Sequence, residues 1–239
     1  MEPAEKKMVR WIFLMTLTLL TSDALATSQI SDVITYEGVS YNLHTNPLEK
    51  YFQKYSFRRP SSPMRSSALW RGYVASFEFR NQSLYVVDVS VQRGGGYTSV
   101  LNEVSPHRDG RAKPFKADWY SGLLVLPHGE MTRYVHMGYG SEYEHYIVIE
   151  VKNGHLKRAV KLSGESYALF KDMQFQAYKH TAEYQKQRDN MLKDGWSQAR
   201  VDSFLRSYVT DYTQRIFKGA LNFPKVNTDR PKSKRRVAP

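Results

Sequence analysis

The stretch Trp70–Val91 reads WRGYVASFEFRNQSLYVVDVSV. Tyr73, Ala75, Phe77 and Phe79 fall on one parity and Gly72, Ser76 and Glu78 on the other, the two-residue period of a half-buried strand. Arg80 to Ser83 supply a turn, and Tyr85, Val87, Val89 and Val91 resume the alternation, so the segment predicts a hairpin ended by Gly94–Gly96.

Toward the C-terminus, residues 92–117 mix glycine, proline and charge with little period beyond the apolar Tyr97–Leu101, and read as loop. Trp119–Leu126 is apolar on both parities apart from Ser121 and Gly122, which predicts a central strand covered on both faces. Pro127–Glu130 predict a turn into a strand over Met131–Met137. A glycine-rich turn then leads to strands at Tyr143–Val151 and Leu156–Leu162, themselves separated by a turn at Lys152–His155. After Gly164 the period becomes helical, with Phe170, Met173, Ala177 and Tyr184 on one face up to about Leu192 and Gly195 placed to end it. Val201, Phe204, Leu205, Tyr208, Val209, Tyr212 and Ile216 keep the spacing of a final helix whose apolar face needs a cover.

Toward the N-terminus, Arg58–Arg65 reads as an exposed basic connection. Short strands are expected at Val33–Tyr36 and Val39–Leu43 around Glu37–Gly38, followed by a helix starting at Pro47. The whole predicts an α+β fold: a mainly antiparallel sheet or open barrel of about six to eight strands packed against two C-terminal helices.

The chain opens with Lys6, Lys7 and Arg10, an apolar run Trp11–Leu20 and the small pair Ala24 and Ala26, the layout of a secretory leader cleaved after Ala26. The run is shorter than the roughly 20 residues a spanning helix needs. An uncleaved anchor is the alternative, kept open by the acidic flanks Glu2, Glu5 and Asp23. Residues 1–26 are thus expected as a signal peptide, 27–222 as one globular domain and 223–239 as a basic disordered tail. After cleavage no apolar stretch is long enough for a transmembrane helix.

The chain contains no cysteine, which excludes disulfides, thiolate metal sites and a thiol nucleophile. Its net charge is +12, and Lys225, Arg230, Lys232, Lys234, Arg235 and Arg236 stand in the tail against Asp229 alone. That segment suits attachment to an anionic surface such as phospholipid or acidic polysaccharide, or simply a solvated terminus. Nucleic-acid binding would rest on charge alone, and the export signal argues against it.

Between Tyr134 and Tyr146, a hairpin loop over 137–141 would set His136 opposite Glu142. Tyr134, His136, Glu142 and Glu144 would then share an outward face, and Val135, Tyr143, His145, Ile147 and Ile149 the core side. His136, Glu142 and Glu144 are therefore the candidates for a metal site or an acid and base pair, with His107 and His128 as loop histidines able to join them. The competing expectation is a cross-strand charge and aromatic cluster, with no metal or cofactor. Trp70, Arg71 and Tyr73, with Tyr134 and Tyr139, are candidates for binding by stacking and forked hydrogen bonds. Alternatively Trp70 caps the core and Arg71 extends over it. Gly94–Gly96 lack the lysine of a phosphate loop, and Ser141 lacks the flanking glycines of a nucleophile elbow. Asn81–Ser83 form a glycosylation acceptor on a turn, meaningful only in a host with an endoplasmic reticulum.

With 17 tyrosines, the composition favours a non-enzymatic exported protein, periplasmic or extracellular, that binds a protein or cell-envelope partner, an inhibitor or immunity-type protein being one version. The alternative is a secreted hydrolase or metal-dependent enzyme using His136, Glu142 and Glu144.

Overall fold

Paired residues at positive φ turn the chain back on itself at Glu37–Gly38 (51° and 78°), Asn81–Gln82 (47° and 60°), Gly94–Gly95 (57° and 86°) and Asn153–Gly154 (49° and 72°). Such pairs make the tight turns whose twist matches that of flanking strands. They join β1 (Asp32–Tyr36) to β2 (Val39–Leu43), β3 (Val74–Arg80) to β4 (Ser83–Arg93), β4 to β5 (Gly96–Ser99), and β8 (Glu142–Lys152) to β9 (His155–Ser163). The remaining strands are β6 (Phe115–Lys116) and β7 (Gly122–Arg133). The computed structural model describes residues 28–61, 66–107 and 112–222. The expected leader, Arg65 and the expected tail with its six basic residues lie outside them.

The sheet runs β2-β1-β3-β4-β9-β8-β7, with β5 and β6 paired to β4, and only β1 and β3 are parallel. It curls without closing. β4 meets β9 through the single pair Ser83 and His155, and between the two ends of the path the His44 amide donates to the Val125 carbonyl at 2.8 Å. The halves enclose one core in which Ile34, Phe77 and Val89 pack with Leu124, Ile147 and Ile149. Together with the helices this is the α+β arrangement of a mostly antiparallel open sheet expected above.

Helix α1 (Pro47–Lys54) plugs the core with Leu48, Tyr51 and Phe52. The segment 92–117, expected as loop, contains β5, the short α2 (Leu101–Val104) and β6. The turn expected at Pro127–Glu130 is absent: β7 runs through it, and Gly129, at φ 80°, sits where the register with β8 slips. β7 also ends the hydrogen-bonded path instead of lying centrally. Its two buried faces arise because Leu124 and Leu126 point into the main core while Leu123 packs outside against Val148, Phe170 and Ile216.

Each C-terminal periodic stretch is divided. The first forms α3 (Gly164–Tyr178) and α4 (Ala182–Lys193), split at Thr181, whose hydroxyl donates to the Tyr178 carbonyl and accepts from the Tyr184 amide. One side chain thus ends one helix and caps the next. The second forms α5 (Gln198–Ser207) and α6 (Val209–Tyr212), after which the chain extends at Thr213. Buried Gln174 of α3 fixes that extension: its amide donates to Thr213 Oγ1 and the Arg215 carbonyl and accepts from the Phe217 amide.

One ion pair is wholly interior. The side chains of Arg71 and Asp32 have no exposed surface and lie 3.2 Å apart. Arg71 also donates to the Ile30 carbonyl at 2.9 Å and to the Tyr139 hydroxyl at 2.8 Å, and Tyr139 donates in turn to Asn46 Oδ1 at 2.8 Å. Burial pushes the Asp32 carboxyl up to about 6 against the pull of Arg71 and of the Ala75 amide, so the pair is ionised at neutral pH. Removing one member strands the other's charge. Arg71→Met is expected to lower unfolding stability by about 3–5 kcal/mol, and Asp32→Asn added to it to restore part of that loss, read from denaturant midpoints. Equal midpoints for wild type and Arg71→Met would show that the pair does not hold the fold.

Candidate functional site

Two faces of α5 do different work. Val201 and Leu205 turn inward, with Val209, onto Phe175, Tyr178 and Tyr184. Arg200, Ser203, Phe204 and Ser207 line the opposite side of α5 and, with Tyr208 at its end and Asp211 of α6, face a cavity of about 1730 Å³. Its second wall is the start of α3, with Glu165, Tyr167 and Lys171, and its third is the end of the β7–β8 hairpin and the following turn at Met137–Gly140.

Local chemistry fixes each wall. Ser163 caps α3 by accepting from the Ser166 amide, and Gly164 lies so close to β8 that a Cβ there would meet the Tyr143 carbonyl at 2.6 Å. Tyr167 then stacks on Tyr146 with ring centroids 4.0 Å apart. Ser197 caps α5, and Arg206 forks onto Asp172 of α3 with two bonds of 2.7 Å, setting the spacing between those helices. Tyr139 brings in the turn through Arg71 and Asn46, and its ring stacks on His44 at 4.8 Å.

The enclosure perturbs several groups. Asp211 is exposed toward the two cavities, yet desolvation by the surrounding protein pushes its carboxyl up to about 7, with Lys50 pulling the other way. Its carboxylate has no hydrogen bond from any described residue. Desolvation lowers His44 to about 4, keeping it neutral, and lowers Lys50 and Lys171. Lys50 donates to the Ser121 carbonyl at 2.8 Å and lines a smaller cavity of about 390 Å³ that shares Phe204, Tyr208, Thr210 and Asp211 with the large one.

The residues singled out in the sequence are scattered over this arrangement. β7 ends at Arg133, so Glu142 pairs with Arg133 and not with His136, and the Arg133 guanidinium bonds both Glu142 carboxylate oxygens. That contact lowers the Glu142 carboxyl, its hydrogen bond being the main cause. Glu144 accepts from the Glu130 amide. Both glutamates line the cavity, whereas His136 is exposed outside its lining with its ring edge-on to Tyr134 at 4.5 Å. His128 lies beside His145 and Tyr41. Among the described residues no three His, Asp or Glu side chains come close enough together to hold a metal ion.

The expected roles of Trp70 and Arg71 are exchanged. Trp70 is 52% exposed and lines the smaller cavity, while Arg71 is enclosed by its pair with Asp32 and cannot reach a ligand. Tyr73 is buried and donates to Glu49. Tyr134 stays exposed, and Tyr139 lines the large cavity. Asp211, Trp196, Arg200, Phe204 and Tyr208 are not among the candidates singled out above, because in the sequence their three- and four-residue spacing marks only a helix face. Comparison of the chain with protein-family models, with curated proteins and with solved structures found no match.

The raised Asp211 carboxyl has a consequence for stability. Below about pH 4 it is protonated in folded and unfolded chains alike. Between there and about 7 only the folded chain keeps the proton, so this group's stabilising contribution is lost as pH rises through that window. His44 acts in the opposite sense, costing stability as pH falls from about 6.5 toward 4. Asp211→Asn is therefore expected to lose part of the wild-type decline in Tm on the neutral side of that window. Parallel Tm-against-pH curves for the two proteins would contradict the assignment.

Proposed function

We propose that the chain is an exported, non-enzymatic binding protein that holds its partner in the large cavity between the β7–β8 hairpin end and helices α3, α5 and α6. The observation that carries this reading is the cavity itself, whose walls are half-buried aromatic rings interspersed with hydroxyls, the usual composition of a preformed site. Tyr143 on β8 and Phe204 on α5 keep part of their surface open, as do Tyr139, Trp196 and Tyr208 in the turns that border those elements. Rigid aromatic surface of this kind contributes binding area at low entropic cost.

The hydrolytic alternative is less well supported, because Glu142 is neutralised by Arg133 and His136 stands apart from the cavity lining. Export rests on the leader pattern at the N-terminus, and no helix among the described residues is long and apolar enough to cross a membrane.

Two measurements test the reading. Mass spectrometry of native material is expected to show a chain beginning at Thr27 in an extracytoplasmic fraction; Met1 retained in cytosol would refute export. Ser203→Trp, placed on the open face of α5, is expected to abolish partner capture from envelope extracts with little change in Tm, while removal of residues 225–239 leaves capture through the cavity intact. Undiminished capture by Ser203→Trp would refute the cavity as the site.

A further inference from the structure

The ligand class follows from the balance of charge and surface in the same cavity, and so rests on the binding reading above. The chain carries +12 overall, yet the positive charges of Arg133, Lys171 and Arg200 in the lining are matched by four carboxylates. Arg133 is forked onto Glu142, and the Arg200 guanidinium lies over the Trp196 ring at 4.0 Å, so neither is held out as a free anion receptor. An anionic polymer gains little from such a site, and a cationic one meets Lys171 and Arg200. What the walls offer is aromatic surface, the hydroxyl of Ser203, the acceptor side of the Ser207 hydroxyl, which donates to the Ser203 carbonyl, and a carboxylate, Asp211, that no described residue hydrogen-bonds.

We propose that the cavity binds a neutral oligosaccharide, with the half-open rings of Phe204 and Tyr208 against the apolar faces of the sugar rings and Asp211 accepting from their hydroxyl groups. Neutral sugars combine flat C–H faces with outward hydroxyls, and this lining pairs with both. The volume of about 1730 Å³ is that of a site for a chain of sugars instead of a single ring, being larger than a typical small-molecule pocket. The rings form a faceted strip: Phe204 lies 5.4 Å from Trp196 at 78° and 4.8 Å from Tyr208 at 41°. Asp211 lies next to this strip and also lines the smaller cavity with Trp70, so the polar anchor is reached from both cavities. Open to both cavities, the Asp211 carboxylate can accept from the hydroxyls of a bound sugar.

The test titrates the full mature chain, followed by tryptophan fluorescence and calorimetry, with soluble neutral glucan, xylan and N-acetylglucosamine oligomers, with an acidic polysaccharide, and with a tyrosine-rich neutral peptide. Saturable binding of at least one neutral oligomer is expected, insensitive to salt, lost in Ser203→Trp and weakened about tenfold or more in Asp211→Asn, as for loss of a charge-assisted hydrogen bond. Binding of the acidic polymer alone, weakened by salt and unchanged in Ser203→Trp, would overturn the proposal and place recognition on the basic residues. Binding of the peptide in the cavity with all neutral sugars silent would overturn the ligand class and leave the binding reading standing. Should no neutral oligomer bind and Ser203→Trp still capture the envelope partner, both readings fall.

Discussion

A charged pair with no exposed surface, Arg71 with Asp32, joins parts of the chain that are distant in sequence. Asp32 starts β1 and accepts from the Ala75 amide of β3, which sets the parallel pairing of those strands. Arg71 reaches across to Tyr139, whose bond to Asn46 occupies the side chain that would otherwise cap α1. Strand pairing, the entry to α1 and the turn forming one wall of the cavity therefore converge on one guanidinium. The burial is incompletely compensated, since Arg71 Nε and Asp32 Oδ2 have no hydrogen-bond partner among the described residues. Apolar replacement of both residues would satisfy the core equally well, but would leave Tyr139 with nothing to hold it over the cavity.

From that anchor the cavity is built by elements whose other faces are structural. β8 turns Ile147 and Ile149 into the main core while Tyr146 and Val148 on its other side carry α3. α5 does the same with Val201 and Leu205. The parts of the wall on β8, α3 and α5 are rigid because their side chains grow from backbones fixed by burial behind them. Rigidity also explains the electrostatics: water is partly excluded, so neutral forms of His44 and Asp211 are favoured and the lysines beside them are weakened as cations.

Much of the sheet was legible because its signals are local. Two-residue alternation located β3 and β4, and Glu37–Gly38 and Asn153–Gly154 marked turns that the backbone angles bear out. Pro127–Glu130 misled because glycine and proline are turn formers, whereas here Gly129 takes up a register slip inside a continuing strand. Shortening of the β7 side at Arg133 then moved Glu142 opposite Arg133, so a three-residue error in where a strand ends dissolved the expected histidine and carboxylate cluster. Thr181 and Tyr208, which divide the C-terminal helices, were equally visible, but an apolar period running through both positions outweighed the signal of a single cap.

The inversion of Trp70 and Arg71 shows where local reading ends. By side-chain chemistry a tryptophan belongs inside and an arginine outside, and the sequence around them gives no reason to reverse this. The reversal is decided by residues tens of positions away, Asp32, Ile30 and Tyr139, which together supply the acceptors a buried guanidinium requires. The same logic governs the cavity, since α3, α5, α6 and the hairpin end, which line it together, come from distant parts of the chain. Chemistry-bearing residues in this protein are thus marked less by type or spacing than by which remote surfaces close over them, and the charge-balanced cavity could not have been inferred from a chain whose overall composition is strongly basic.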